Sequence, residues 1–262
     1  MEWFEALVLG LIQGLTEFLP VSSSAHLEIG KTLFGINGEN NLYFSILVHG
    51  ATVLSTIVVF RKEILKLIQG GLKFKYNEET EYILKIAVSM VPVMLVGLLL
   101  KEQVESLFGG DNMVLVGSML LVTALILSFT FFFKRNNTRN IGYRDAIIIG
   151  VAQAFAVFPG ISRSGATIAT GLLLGNKKAE IAKFSFLMVL VPILGENFLD
   201  IIGGEFSGSG LSVSVMLIGF FSAFISGLLA CTVMINIVKK GKLIWFAIYC
   251  LVVGVISIFL LS

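Results

Sequence analysis

Charge is what this chain has least of. Only 14% of its 262 residues are Asp, Glu, Lys or Arg, while 56% are hydrophobic, and the mean hydropathy is +0.94. Soluble domains carry about 25% charged residues, so a water-soluble globule is excluded and the composition is that of an integral membrane protein. A basic stripe interleaved with exposed aromatics is also missing, which leaves no nucleic-acid partner to expect. Cysteine is scarce. Cys231 and Cys250 both lie in apolar runs with no CxxC spacing, and read as small buried residues rather than a disulfide or redox centre. The opening stretch MEWFEALVLG has no basic segment and carries Glu2 and Glu5, so a cleaved signal peptide is not expected.

What is present is length in apolar runs. A membrane-crossing helix needs roughly 20 apolar residues. Segments 41–60, 82–100, 112–133, 180–203, 211–238 and 243–261 meet that need. Two more, 3–35 and 145–175, are apolar but interrupted at PVSSS and PGISRSG. Their arms are too short to cross ~30 Å of hydrocarbon comfortably at 1.5 Å per residue, so each reads as a re-entrant helix–loop–helix pair. Pro92 and Pro192 are expected to kink their helices. The loop 61–81 has mixed charge at helical spacing and reads as an interfacial helix without chemistry.

Basic residues sort the sides. Arg61, Lys62, Lys66, Lys73 and Lys75, then Lys134, Arg135, Arg139 and Arg144, then Lys177, Lys178 and Lys183, then Lys239, Lys240 and Lys242 share one side if six spans cross and two pairs return. The other side holds Lys31 and Lys101 against Glu102, Glu105, Asp111 and Glu205. The positive-inside rule puts the basic loops in the cytoplasm and both termini outside. The interrupted segments also match each other. With one gap, Gly10, Gln13, Phe18, Pro20 and Ser23 align with Gly150, Gln153, Phe158, Pro159 and Ser162. The expected fold is therefore an all-α polytopic membrane protein, one domain over 1–262. Repeat 1 covers about 1–133 and repeat 2 about 144–262. Three crossings per half invert the second half, so the two irregular loops can meet near the midplane.

Irregular backbone at that depth needs protein partners or a water-filled cavity. Ser23, Ser24, Ser162 and Ser164 are good helix caps. Arg163 demands more, because a charge at the bilayer centre costs about 2.5–3.5 kcal/mol. It faces an anionic ligand or forms an ion pair with Glu17. Helix N-termini, close approach at Gly160 and Gly165 and a forked guanidinium make a phosphate cradle. The first loop adds Gln13 and Glu17, four apart on one face, with Ser22, Ser23 and His26. A hydroxyl, an imidazole and a carboxylate are the parts of an activated nucleophile, and Glu17 with phosphate oxygens suits a divalent cation. His49, mid-span, reads as a core histidine or a cavity lining. Glu196 and Asp200 read as caps of the fourth span's outer end.

QGLTEFLPVSSSAHL and PGISRSGAT together resemble the undecaprenyl-diphosphate phosphatase family of the bacitracin-resistance type, over essentially the whole chain. One position departs: Gln13 stands where the motif also takes Glu, so a two-carboxylate site is not available. The resemblance implies hydrolysis of undecaprenyl diphosphate to undecaprenyl phosphate at the outer face of the bacterial plasma membrane, in cell-wall carrier recycling. It implies a divalent metal, Mg²⁺ or Ca²⁺, at Glu17. The implied catalytic positions are Gln13, Glu17, Ser23, His26 and Arg163, with Ser162, Ser164 and Thr167 beside them. In the mechanism this suggests, Ser23 attacks phosphorus, His26 is its proton partner, Glu17 binds metal or orients His26, and Arg163 holds phosphate. Attack by a metal-activated water is the alternative route. The partners are a polyprenyl diphosphate lipid and the bilayer, and a homodimer is compatible with the sequence. The competing class is a lipid or anion transporter on the same inverted repeat, which has no use for a nucleophile.

Overall fold

The computed structural model describes residues 1–36, 40–100, 112–195 and 211–260. Among them the chain is helical, with one isolated bridge, Arg139 to Asn176. The helices are α1 (Trp3–Phe18), α2 (Ser23–Phe34), α3 (Asn40–Val59), α4 (Arg61–Gly71), α5 (Glu78–Leu99), α6 (Met113–Phe132), α7 (Tyr143–Phe155), α8 (Arg163–Leu173), α9 (Lys178–Met188), α10 (Val213–Lys240) and α11 (Ile244–Leu260). Local sequence sets their ends. Asn77 caps α5 by accepting from the Thr80 amide at 2.8 Å. Glu78, Glu79 and Glu81 in that first turn suit the positive end of the dipole. Gly241 closes α10 at φ 69, behind Lys239 and Lys240.

This is a membrane protein. Helices α5, α6 and α10 are each long and apolar enough to cross a bilayer, and α3 with α4, a pair bent by 76°, adds a fourth candidate. The α11 helix is apolar but 17 residues long. On α10 the division of faces is plain. Leu217, Phe221, Ile225, Leu229 and Val233 are exposed at every fourth position, while Gly219, Ser222, Ala223, Ser226 and Gly227 are buried. A water-soluble helix would show the reverse on its outer face. Helix α5 runs through Pro92. By contrast α9 ends at Met188 and a short helical run resumes over 190–195. Pro192 has no amide hydrogen to give the Met188 carbonyl, which is one cause of that break. Residues 196–203 of the expected fourth span, with Glu196 and Asp200, lie outside the described residues, as do Lys101, Glu102, Glu105, Asp111 and Glu205.

Both interrupted segments break where expected, at 19–22 and 156–162, and both fold back. A Cβ placed on Gly30 of α2 would lie 2.7 Å from Leu9 Cδ2 of α1. The end of α8 likewise returns to the start of α7. There Asn176 Nδ2 donates to Asp145 Oδ2 at 2.9 Å, and Asn137 Nδ2 to the Leu172 carbonyl at 2.8 Å. Each hairpin then packs on a helix distant in sequence: α1 on α10, α7 on α5. Glycine permits the approach. A Cβ on Gly10 would sit 2.5 Å from the Gly219 carbonyl, and one on Gly150 would sit 2.2 Å from the Ser89 carbonyl. Small residues at such crossings let backbones close where lipid supplies no hydrophobic drive. Helices α6 and α11 meet reciprocally, Gly117 against the Gly254 carbonyl and Gly254 against that of Gly117.

Candidate active site

The two breaks share one local plan. Ser22 caps α2, its Oγ accepting from the Ala25 amide at 3.4 Å, and its hydroxyl touches Ser24 Oγ at 3.1 Å. Ser162 caps α8 the same way, accepting from Gly165 at 3.1 Å, and touches Ser164 Oγ at 3.3 Å. These caps correct the alignment read from sequence. It paired Ser23 with Ser162 through a one-residue gap, whereas the caps pair Ser22 with Ser162 and Ser24 with Ser164 and need no gap. Gly10, Gln13 and Phe18 follow the same offset of 140 residues. The residue left between the two serines is Ser23 in one hairpin and Arg163 in the other. Both open their helices.

Those two residues converge on Glu17, whose side chain is only 6% exposed. Ser23 Oγ donates to Glu17 Oε2 at 2.6 Å and Gln13 Nε2 donates to the same oxygen at 3.0 Å. Arg163 Nη2 pairs with Oε1. The Glu17–Arg163 ion pair, one of the two readings open from the sequence, is therefore formed. It leaves Arg163 28% exposed and lining a cavity. That cavity also has Thr52, Thr56, Ser164 and Ser185 on its polar side and Phe186, Leu190 and Ile193 on its apolar side. The breaks touch directly as well. Ser164 Oγ donates to the Leu19 carbonyl at 3.2 Å, and a Cβ on Gly165 would lie 3.3 Å from Pro20 Cβ.

Three expected members stand elsewhere. His26 does not face Ser23. Its Nδ1 lies 2.8 Å from the Ser22 carbonyl and its Nε2 2.8 Å from the Tyr249 hydroxyl. Ser23 gives its proton's hydrogen bond to Glu17 instead, so in this arrangement the carboxylate holds the place expected of the imidazole. Gly160 does not open a path for phosphate. At φ 102 it presses on α6, where a Cβ would lie 2.6 Å from Met119 Cβ and from the Val116 carbonyl. Thr167 is buried behind Arg163, donating to the Arg163 carbonyl at 2.9 Å and meeting Ser185 Oγ at 2.6 Å.

His49, read from sequence as a core histidine or a cavity lining, stands beside Glu17, and Thr123 was not assigned from sequence. His49 Nε2 lies 3.8 Å from Glu17 Oε2. Its Nδ1 sits 2.8 Å from the Ser45 carbonyl, which can only accept, so a neutral His49 turns a lone pair toward Glu17. Thr123 of α6 holds the second break, accepting from the Ser162 amide at 3.0 Å and donating to the Gly160 carbonyl at 3.1 Å. The one available signal for both was a polar residue inside an apolar span. Tyr249 lies 223 residues from His26 and gave no such signal.

This arrangement pairs a hydroxyl with a buried carboxylate and sets a guanidinium opposite. It is suited to taking a proton from an alcohol while holding an anion beside it. Residues 6–256 match the family model described as bacitracin resistance protein BacA. The chain belongs to this family. A Bacteroides fragilis protein named undecaprenyl-diphosphatase is 58% identical over 261 residues, covering 98% of both chains. Proteins of the same name from Parabacteroides distasonis and Korarchaeum cryptofilum are 55% and 37% identical, over 98% and 100% of both chains respectively.

Proposed function

We infer that this chain hydrolyses undecaprenyl diphosphate to undecaprenyl phosphate and inorganic phosphate. The observation that carries the reading is the convergence of Ser23 and Arg163 on the two oxygens of Glu17. The prenyl tail stays in lipid and the diphosphate reaches the site, where Arg163 exchanges part of its pairing with Glu17 for the terminal phosphate. Ser23 Oγ attacks the terminal phosphorus and its proton passes to Glu17 Oε2. Undecaprenyl phosphate leaves as the bridging P–O bond breaks. Water then attacks the phosphoserine; as the bond from phosphorus to Ser23 Oγ breaks, Glu17 returns its proton to that oxygen and orthophosphate leaves with the hydrogens of the water, restoring both Ser23 and Glu17. Phosphoryl transfer needs mainly positioning and charge stabilisation, which Arg163 and the first turn of α8 supply. The family resemblance assigns His26, three residues after Ser23 in α2, to the same reaction.

A divalent cation, Mg²⁺ or Ca²⁺, fits the donors in part. Gln13 Oε1 is buried and has no partner among the described residues, and it sits on the side chain already bonded to Glu17. No group of three His, Cys, Asp or Glu side chains that could hold a metal exists among the described residues. Glu17 and Gln13 would therefore hold the ion together with diphosphate oxygens, the usual habit of Mg²⁺. Its chemistry there would be neutralisation of phosphate charge.

The site lies between two re-entrant hairpins of an inverted repeat, with six crossings, both termini outside and the mouth toward the outer leaflet of the plasma membrane. Support comes from the exchanged packing of α1 on α10 and α7 on α5, the reciprocal α6–α11 contact and the segregation of basic residues. The test is phosphate release from undecaprenyl diphosphate by purified protein, with and without chelator. Metal-dependent release is expected. A folded protein that binds the lipid and releases none is a carrier instead.

A further inference from the structure

His26 is held at both ring nitrogens. The Ser22 carbonyl accepts at 2.8 Å from Nδ1, so Nδ1 bears the hydrogen and the neutral ring has its lone pair at Nε2. Tyr249 Oη lies 2.8 Å from that Nε2, so its hydroxyl donates there. The two rings are nearly parallel, 10° apart in plane with centroids at 5.5 Å. The Ser22 carbonyl is the i−4 partner of His26, the relation that His49 has with Ser45 inside α3. Tyr249 sits within α11, beside the exposed Ile248, Leu251 and Val252. The residue is 44% exposed, so burial does not account for a tyrosine there.

We propose that Tyr249 is a positioning residue for the phosphatase reaction, holding the His26 ring and its tautomer ready for the lipid's phosphate; this rests on the assignment of His26 to that reaction. A tyrosine hydroxyl suits the task because it rotates. It donates to neutral Nε2 and accepts from Nε2–H once the ring is protonated, so the ring keeps its place in both states. Phenylalanine does neither, yet fills the same space against α2.

The chain has two histidines, so ¹⁵N-histidine spectra of the detergent-solubilised protein are simple, and His49→Gln assigns them. Tyr249→Phe is expected to move the His26 Nε2 resonance. It should also lower kcat by about ten- to a hundredfold with little change in KM, the range seen when the partner orienting a functional imidazole is lost. Should Tyr249→Phe fail to fold, fluorotyrosine incorporation alters the hydroxyl's acidity without changing its shape, and the same resonance should shift. An unchanged Nε2 resonance overturns the proposal, and so does a shifted resonance with kcat unchanged. His26→Gln separates the two ideas. If it turns over at the wild-type rate, the assignment of His26 falls. If it is inactive while Tyr249→Phe is silent, only the role of Tyr249 falls.

Discussion

Around the first break a serine caps α2 and touches a second serine two residues on; around the second, a serine caps α8 and does the same. The hairpins are alike in their serine caps and opposite in chemistry. Between the paired serines stands Ser23 in one and Arg163 in the other. Gln13 donates to Glu17, while the amide nitrogen of its counterpart Gln153 meets Met90 Sδ at 3.8 Å. The position matching Glu17 is Val157. Two breaks capped alike thus need differ at few positions to hold a hydroxyl, a carboxylate and a cation together, because the caps already aim both helix starts at one point.

Breaking that asymmetry should cost most at the charge. Arg163→Ala is expected to lower phosphate release by at least about 10³-fold, since it removes the guanidinium that holds phosphate and takes from the buried Glu17 its Arg163 partner. Arg163→Lys recovers part of this and no more, because a point charge does not reproduce the fork. Glu17→Gln should lower kcat by about 10²–10⁴-fold, the usual worth of a positioned base, in the same phosphate-release assay. Next come the crossings. Gly10→Leu and Gly150→Leu should each destabilise by about 1–3 kcal/mol or more, read by thermal unfolding in detergent, because a Cβ at either position meets a carbonyl. Gly97→Ala, with nothing within 4 Å, is the control and should lose no stability. The smallest effects separate the caps. Ser162→Ala costs about 1 kcal/mol. Ser22→Gly should be neutral or stabilising, since glycine adopts φ 69 without strain, whereas Ser162, at φ −72, gains nothing from glycine.

Much of this was legible in the sequence for a physical reason. Hydropathy and span length act over about 20 residues, and the breaks are marked by Pro and Ser in otherwise apolar arms, so both interruptions were located within a few residues. Arg163 was singled out because an unpaired charge at that depth is untenable. What was not legible depends on rotation. Whether His26 or Glu17 faces Ser23 is decided by which side of a helical turn each occupies and by the left-handed turn at Ser22. Gly160 was read as clearance for a ligand and proved to be clearance for α6. The gap in the repeat alignment came from matching Pro20 with Pro159; the caps do not follow the prolines.

The claim that matters most is that Ser23 and Arg163, equivalent positions in two hairpins, act on one phosphate through Glu17. The direct test is a double-mutant cycle on phosphate release from undecaprenyl diphosphate with Ser23→Ala, Arg163→Ala and the pair. Groups that work as a unit are strongly non-additive. The expected result is a double variant no slower than the slower single one. Losses that multiply would mean the two residues act independently, and would contradict the account.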